Sequence, residues 1–399
     1  MNSFNIPAAI TEIVSKLKEH GFSTWVVGGA IRNYFLHRHI TDWDLSTQAT
    51  PGEMMQIFPY ANASGADFGC VLLPSEIGTI QITTLREESA YKDHRRPHHI
   101  VFTKDIVKDL MRRDFTCNAI AFDMIKQRWI DPLGGQKDIQ NQLIRAVRNP
   151  QLRLQEDALR ILRAIRFVSE LGFSLAPDLK TAMVQSSQDI AYLSKERIYA
   201  EWKRIVSGEH VEVALQILRD IRLTDLLPVQ IPAIVDVKNV VPIFWLRMVA
   251  LFAHDFSKLL ESSPRNWIDF GVPKKYWHWI RAMSELLYIP PPLSDEQRYA
   301  WVSWARTIDD QKAMIHTTAV LGRTDIEEYL KHFYQLYPDL DFHRLPMTTT
   351  EMLHLAGIKK GPKAGQFLQS LYQWVANQPS KVTPAQIEKW IKARYTYRV

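Results

Sequence analysis

The alternation of apolar and polar residues near the start of the chain predicts helices and strands in turn. Residues 1–23 repeat apolar side chains at helical spacing, which predicts an amphipathic helix whose buried stripe includes Ile10 and Leu17. Residues 24–27 favour a strand, two glycines follow, and residues 30–36 return to a helical pattern. The pattern therefore predicts a strand, a tight turn and a helix in succession.

Further along the chain, strand patterns give way to helical ones. Residues 71–73 and 77–85 read as two strands, residues 105–122 as a helix, and a turn at residues 131–135 closes the portion in which strands and helices mix. Beyond that turn the pattern is almost entirely helical, beginning with a helix over residues 152–171. We therefore expect a mixed N-terminal part followed by a helical remainder.

The composition is that of an ordinary globular protein. A length of 399 residues is enough for about two to four domains. With 46% hydrophobic and 23% charged residues, each domain can form a core of its own. The two cysteines, Cys70 and Cys117, exclude a disulfide framework, and no spacing of cysteine and histidine resembles a zinc site. No apolar run approaches the roughly 20 residues that cross a bilayer, and residues 6–20 lack the apolar core of a signal peptide. We expect a reduced, cytoplasmic setting and no membrane partner.

Candidate chemistry begins at the glycine turn. The net charge of +6 favours an anionic partner such as a nucleic acid, although an excess of this size also fits a plain solubility role. Gly28 and Gly29 let the backbone approach a ligand closely, and the helix start that follows offers unpaired N–H groups to an anion. We expect this turn to hold phosphate.

Two carboxylates follow that turn. Asp42 and Asp44 are two positions apart, and in an extended strand such side chains point to one face, with Cα atoms about 6–7 Å apart. Two carboxylates on one face suit hard divalent ions that also bind substrate phosphates, so the turn and the pair together indicate nucleotidyl transfer. An isolated pair of this kind is more often two solvated side chains. On the later strand the neighbouring polar position is Gln81, so a third metal-binding carboxylate must come from elsewhere.

A second polar group lies in the predicted helix over residues 105–122. Asp114 and Asn118 are four apart and would share a helix face, with Arg113 to one side. A carboxylate and an amide can hydrogen-bond the hydroxyl groups of a ribose, and an arginine can hold phosphate. A charged, solvated helix end is the alternative, which the apolar residues that follow make less attractive.

A third group lies in the predicted helix over residues 152–171. Asp157, Arg160 and Arg163 repeat every three positions along one stripe, with Arg166 beyond. The plain interpretation is a solvated face with an ion pair. The sharper one is base recognition, because a carboxylate at Asp157 can accept from an exocyclic amino group while Arg160 donates to the neighbouring ring atoms. Such a pair would accept cytosine and adenine and reject uracil and guanine.

The segment over residues 87–97 is dense in charge and has no periodicity. It contains Asp93, Arg95 and Arg96, and the simplest interpretation is a mobile surface loop. Its proximity to the proposed site also fits a moving lid or arm.

Taken in order, these motifs resemble a known family. The chain reads GGAIR at 28–32, DWD at 42–44, RRDFTCNA at 112–119 and EDALR at 156–160. In order and spacing they are similar to the class II tRNA nucleotidyltransferases, the CCA-adding enzymes of bacteria, of which bacterial poly(A) polymerases are close relatives. The resemblance implies template-independent addition of C, C and A to the 3′ end of tRNA, from CTP and ATP, with Mg²⁺ and release of diphosphate.

The resemblance also implies a role for each motif. It places the catalytic metal ligands at Asp42 and Asp44 and the flexible loop at Asp93, Arg95 and Arg96. The residues that it implies for nucleotide binding are Gly29, Arg32, Arg113, Asp114, Asn118, Asp157, Arg160, Arg163 and Arg166. Two positions depart from the family pattern, because Asn33 stands where an aspartate is usual and Gln81 where an acidic residue is common.

The fold implied by the resemblance is α+β, a nucleotidyltransferase head with a mixed β-sheet and helices followed by an all-helical neck, body and tail. The head would cover residues 1–140, the neck that recognises the base 141–208, the body 209–290 and the tRNA-binding tail 291–399. In the tail, a basic turn over residues 357–365 could hold tRNA phosphates or could be a joint between two helices.

Several alternatives remain at this point. A poly(A) polymerase uses the same motifs, and a relative that adds only CC resembles the family but lacks the charged loop. A non-catalytic tRNA-binding protein would be expected to lose the metal carboxylates, which are present at Asp42 and Asp44. We expect a monomer or a homodimer.

Overall fold

The computed structural model describes residues 4–88, 100–223, 239–252, 271–274, 294–302, 308–337 and 345–395, together with positions 237, 280 and 284. The chain divides into two compact units, Met1–Leu226 and Leu227–Val399. The finer division into head, neck, body and tail stays a prediction.

The first unit is built on a six-stranded sheet. The first eight strands of this unit are β1 Thr24–Val27, β2 Asp44–Thr47, β3 Cys70–Ser75, β4 Gly78–Thr84, β5 Arg86–Glu88, β6 Ile100–Phe102, β7 Ala121–Asp123 and β8 Arg128–Ile130. The order in the sheet is β3-β4-β2-β1-β7-β8, with β2 and β4 parallel and the other neighbours antiparallel. Strands β5 and β6 form a separate antiparallel ribbon. All four side chains of β1 are buried, as expected of a strand inside a sheet that is covered on both faces.

Helices cover this sheet and continue beyond it. Those of the first unit are α1 Ala8–Glu19, α2 Gly29–Phe35, α3 Pro51–Ile57, α4 Ile106–Met111, α5 Gly135–Gln140, α6 Pro150–Glu156, α7 Leu159–Leu171, α8 Pro177–Gln185, α9 Lys195–Ser207 and α10 Val211–Asp220. The predicted stripe of α1 is buried at Ile10 and Leu17, and α7 packs against both α9 and α10. Two short strands, β9 Leu143–Ile144 and β10 Ser174–Leu175, pair within this helical part.

The structure contradicts two of the predicted helices. Helix α4 ends at Met111, and the segment after it extends because Phe115 forms an antiparallel bridge with Ala146. The helix predicted over residues 152–171 is broken at Asp157, whose φ of −152° is extended and whose carboxylate accepts from the N–H of Leu159 over 3.1 Å. A tertiary bridge in one case and a capping aspartate in the other outweigh helical periodicity.

The regular secondary structure in the described part of the second unit is helical. Its helices there are α11 Phe244–Phe252, α12 Asp295–Val302, α13 Ile308–Val320, α14 Thr324–Leu336, α15 Thr349–Leu355, α16 Pro362–Ala376 and α17 Pro384–Tyr395. Helices α15 to α17 enclose a core that contains Phe367, Leu371 and Trp390. In the described part of the chain, no helix has the length and apolar character needed to traverse a bilayer. The predicted α+β class, a mixed sheet with helices followed by helices, is confirmed.

Candidate functional site

One cleft of the first unit gathers the polar residues that the sequence singles out. Its volume is about 540 Å³. Residues of the sheet region form one wall, and Asp157 together with helices α7 and α9 forms the other. The structure brings together there Gly28, Gly29, Arg32, Asp42, Asp44, Arg113, Asp114, Asn118, Asp157, Arg160, Arg163 and Arg166. Their roles stay predictions. The loop residues Asp93, Arg95 and Arg96 lie outside the described residues.

The glycine turn closes over the second aspartate. Gly28 has a φ of 74° and a ψ of −137°, a conformation that side chains disfavour, and it begins α2 as predicted. A Cβ atom at this position would lie 3.1 Å from Asp44 Oδ2 and 3.6 Å from Arg113 Nη1. The turn therefore needs glycine both for its backbone angles and for its close approach to Asp44.

Asp42 and Asp44 both face the cleft, but only one of them lies in a strand. Strand β2 begins at Asp44, and Asp42 precedes it, with the buried Trp43 between them pointing away. Burial raises the pKa of Asp44 above its usual value. The positive charge of Arg113 lowers this pKa, and the negative charge of Asp42 raises it further. Two neighbouring carboxylates at the cleft, of which Asp44 is partly buried, fit a divalent cation, which would compensate both charges.

A third carboxylate does not join this pair in the described residues. Gln81 lies opposite Asp44 on the parallel neighbour β4, where the sequence places it. Throughout the described ranges, no group of three or more His, Cys, Asp and Glu side chains could hold a metal ion. The other carboxylates that line the cleft, Asp114 and Asp157, are held in ion pairs by Arg163 and Arg197.

Asp109 is a buried acidic residue that the sequence analysis missed. Its carboxylate accepts from Arg112 Nε over 2.8 Å, from Arg113 Nη2 over 3.2 Å and from Ser46 Oγ over 3.3 Å. Burial opposes its ionisation, but the charges of Arg113 and Arg112 outweigh burial and hold its pKa below the usual value. Asp109 thus fixes the direction of Arg113 into the cleft. The helical spacing of four between Asp109 and Arg113 was the available signal.

Asp114 and Asn118 meet, although not through a shared helix as predicted. Asp114 lies in a bend just before the extended Phe115, Asn118 ends a short 3₁₀ turn, and Asn118 Nδ2 donates to Asp114 Oδ1 over 3.2 Å. Arg32 Nη1 donates to Asn118 Oδ1 over 2.6 Å, so both ends of the amide are held. Burial opposes ionisation of Asp114, but Arg163 outweighs it and holds the pKa of Asp114 far below its usual value.

The interpretation of Asp157 and Arg160 as a solvated helix face is wrong, and base recognition by these two residues stays a prediction. Asp157 lies in the break between α6 and α7, and its carboxylate accepts from Arg197 Nη2 over 2.8 Å. Arg160 is buried, and its Nη1 donates to Glu156 Oε2 over 2.7 Å. Both side chains still border the cleft, so each is held by a neighbour while remaining at its wall. Arg197 itself lines the cleft and was not singled out by the sequence.

Three arginines surround one aromatic ring at the base of the cleft. The Cζ atoms of Arg32, Arg163 and Arg166 lie 5.1, 5.8 and 4.4 Å from the centroid of the Phe167 ring. Burial and the charge of Arg163 lower the pKa of Arg166 to about 10, and Arg166 Nη1 pairs with Glu201 Oε2 over 3.1 Å. These guanidinium groups form a positive wall suited to a polyphosphate.

The second unit carries a cleft of its own. Its volume is about 1470 Å³, and it opens beside the start of α16, where Lys359, Lys360 and Lys363 lie on its edge. Trp374 and Trp390 stack in its wall with ring centroids 5.6 Å apart. The helix α16 begins at Pro362, within the basic turn predicted over residues 357–365.

Comparison with known proteins gives two family matches. Residues 24–145 match the model of the poly A polymerase head domain, and residues 172–234 match that of a probable RNA and SrmB-binding site of polymerase A. The head match covers the glycine turn, Asp42, Asp44, Asp114 and Asn118.

Named relatives agree with these matches. The CCA-adding enzymes of Geobacillus sp. strain WCH70 and Geobacillus kaustophilus are 42% and 43% identical over 216 residues, 54% of this chain. That region spans about half of each relative, 53% of its length. The CCA-adding enzyme of Listeria innocua is 30% identical over 387 residues, 95% of this chain and 96% of the relative.

Solved structures agree as well. The crystal structure of the Bacillus stearothermophilus CCA-adding enzyme in complex with CTP superposes with a TM-score of 0.70 at 28% identity, over 98% of this chain and 99% of that one. A CCA-adding enzyme in complex with CTP, at 18% identity and a TM-score of 0.58, shares the fold. The resemblance inferred from the motifs is confirmed, and the chain belongs to the family of the bacterial CCA-adding enzymes within the poly(A) polymerase superfamily.

Proposed function

We propose that this protein adds C, C and A to the 3′ end of tRNA from CTP and ATP and releases diphosphate at each step. The observation that carries the proposal is the single cleft in which two carboxylates, a wall of arginines and an Asp157–Arg160 pair lie together. A nucleoside triphosphate presents a metal-binding polyphosphate, a ribose and a base, and the cleft offers separate groups for each.

Asp42 and Asp44 would hold Mg²⁺ at the reacting end of the cleft. When bound, the ion would make the terminal hydroxyl of the RNA a better nucleophile and offset the charge that develops at the transferred phosphorus. The residues of the chain supply the remaining alignment. The N–H groups at the glycine turn and the guanidinium groups of Arg32 and Arg113 would bind the phosphates.

Asp114 and Asn118 would bind the ribose. Their polar groups are already held by Arg163 and Arg32, so they are oriented before the nucleotide enters. Because these side chains are ordered before the nucleotide binds, the loss of conformational entropy on binding is smaller.

Asp157 and Arg160 would choose the base. The carboxylate accepts from the amino group that cytosine and adenine share. The guanidinium donates to the adjacent ring nitrogen and, in cytosine, also to the carbonyl oxygen. Uracil and guanine place a carbonyl oxygen opposite the carboxylate, which repels it. The choice is then made by protein side chains without a nucleic-acid template.

The cleft of the second unit is suited to the tRNA itself. Lys359, Lys360 and Lys363 together with the N-terminus of α16 would contact backbone phosphates, and Arg394 lies over the ring of Trp390 at 4.8 Å. We propose that this surface holds the tRNA while its 3′ end is extended.

Incubation of tRNA that lacks its terminus with CTP, ATP and Mg²⁺ tests the proposal. We expect a product that ends in CCA, and no addition when EDTA removes the metal. Asp42→Ala and Asp44→Ala should abolish addition while the affinity for tRNA stays within about twofold, since these side chains act on the reacting phosphate.

Two other outcomes would replace the proposal. A product that stops at CC would indicate a CC-adding relative. Long adenosine tails made from ATP alone would indicate a poly(A) polymerase, to whose head domain residues 24–145 are also similar.

A further inference from the structure

Arg153 connects the two walls of the cleft of the first unit. It lies in α6, is 5% exposed, and its Nη2 donates to the main-chain carbonyl oxygen of Arg112 and, over 2.9 Å, to that of Arg113. These carbonyl groups belong to the segment that leaves α4 and directs the side chain of Arg113 into the cleft. A side chain of the neck therefore fixes the backbone of the head at the phosphate end of the site.

The same guanidinium is tied to the base end. Arg153 Nη1 contacts Glu156 Oε2, and the same oxygen accepts from Arg160 Nη1 over 2.7 Å. Arg160 Nη1 also donates to the main-chain oxygen of Arg153 over 2.5 Å. Arg153, Glu156 and Arg160 thus form a closed set of charge-assisted hydrogen bonds in which none can shift without the others.

The phosphate end is equally constrained. Beyond the contact to its carbonyl group, Arg113 is held by Asp109 and by Ser46 Oγ, 3.2 Å from its Nη2. A chain of contacts therefore runs from Asp109 through Arg113 and Arg153 to Arg160.

We propose that Arg153 is a positioning residue that sets the distance between the group reading the base and the groups holding the phosphates. The inference rests on the proposed function, because it takes Arg160 as a base reader. A correct base would bring its triphosphate into register with Arg113 only if this spacing is kept, and displacement by about 1 Å can lower rates by about 10²-fold. A purely structural role would instead lower stability and leave the choice of base unchanged.

Arg153→Lys is the direct test. Lysine keeps the positive charge but has one compact ammonium group, which cannot serve two carbonyl oxygens and Glu156 in the planar fork geometry of arginine. Arg247→Lys is the matched control, since Arg247 is 2% exposed, lies in the second unit and donates to the main-chain oxygen of Val240. If Arg153→Lys does not fold, Glu156→Gln loosens the same set of contacts from a side chain that is 29% exposed.

The equilibrium affinities for CTP and for UTP, measured with Mg²⁺, test the positioning role without requiring addition to tRNA. The thermal unfolding midpoint of each variant is measured as well, to detect a loss of stability. We expect the preference for CTP over UTP to fall by about tenfold in Arg153→Lys or Glu156→Gln, the loss of about one base contact, and to be unchanged in Arg247→Lys. An unchanged preference in both neck variants, or an equal fall in Arg247→Lys, would overturn the inference. If the wild type prefers CTP yet adds nothing to tRNA, the proposed function alone fails.

Discussion

Arg163 donates through Nε to Asp114 Oδ2 over 2.7 Å, which joins two residues 49 positions apart in the chain. The bond links α7 to the bend that follows α4 and leads to Asn118. Burial alone would raise the pKa of the Asp114 carboxyl. The charge and hydrogen bonds of Arg163 outweigh burial, and the pKa of Asp114 lies far below its usual value. Arg163 thus keeps Asp114 ionised and in place.

This relationship predicts how stability depends on pH. A carboxyl whose pKa is lowered by folding contributes stability above its unfolded pKa of about 4, and that contribution is lost as the pH falls through the folded value. Asp114→Asn should therefore lower the free energy of unfolding by about 2 kcal/mol at pH 7, somewhat less than a fully buried pair because one third of Arg163 is exposed.

Urea unfolding of both proteins from pH 7 to pH 3.5 provides the measurement. The difference between wild type and Asp114→Asn should stay constant down to about pH 5 and narrow below it. Asp67→Asn, at an exposed position, serves as the control with little effect. A difference that does not change over this range would contradict the assigned role of the Arg163 pair.

The glycine turn allows two kinds of glycine to be compared. Gly28 and Gly134 both have positive φ, 74° and 68°, but a Cβ at Gly134 would meet no atom within 4 Å while one at Gly28 would press on Asp44. We expect Gly134→Ala to cost about 1 kcal/mol of stability with normal addition. Gly28→Ala should cost about 1–3 kcal/mol and also lower kcat at least about tenfold, because Asp44 must move. Equal activity of the two variants in a CTP addition assay would show that the close approach to Asp44 is unimportant.

Base choice should depend on Asp157 and Arg160 and, to a smaller extent, on Arg197. Asp157→Ala with Arg160→Ala removes both partners of the base, and each lost contact is worth about 1–3 kcal/mol, or roughly ten- to hundredfold in discrimination. Arg197→Ala leaves both readers in place but releases one hydrogen bond that orients Asp157. We expect incorporation of UTP relative to CTP to rise most in the double variant and by a smaller factor in Arg197→Ala. The order would be wrong if the double variant still rejected UTP as the wild type does.

The sequence predicts the local parts of this site and misses the contacts that hold them. The strand, turn and helix around Gly28 follow from periodicity and two glycines, and the structure has them where they were expected. Asp114 and Asp157 were placed in helices, because periodicity does not reveal that a carboxylate caps Leu159 or that Phe115 pairs with Ala146. Local pattern and the family resemblance therefore named many of the residues that line the cleft without giving their correct geometry.

The supporting residues were missed for a different reason. Arg153 reaches Arg113 across 40 positions, and Arg197 reaches Asp157 across 40, distances at which no periodicity operates. Asp109 is the exception, since it lies one helical turn before Arg113. The spacing of Asp109 and Arg113 is visible in the sequence. Only the structure shows that Asp109 is buried, which distinguishes the two residues from an ordinary surface ion pair.

Asp109 itself should be needed for both stability and nucleotide binding. Asp109→Asn removes the charge that compensates Arg112 and Arg113, whose side chains are 14% and 17% exposed, so a loss of about 3 kcal/mol is expected. Because Arg113 loses its fixed direction, the KM for CTP should rise more than kcat falls. Asp105→Asn is the control, since asparagine caps the start of α4 as well as aspartate does. A normal KM in a folded Asp109→Asn protein would separate Asp109 from the phosphate end of the site.

The tail surface makes a prediction about salt. Each phosphate that a lysine neutralises releases counterions, so the slope of log affinity against log salt concentration falls by about 1 for each contact removed. Lys359→Ala with Lys360→Ala should weaken tRNA binding at low salt and reduce the slope by about 2, while kcat at saturating tRNA stays near that of the wild type. Lys381→Ala with Lys389→Ala removes two exposed lysines of the same unit that do not line its cleft, and this pair should leave the slope nearly unchanged. Filter binding at several KCl concentrations gives both slopes, and equal slopes for the two double variants would place the tRNA contacts outside this cleft.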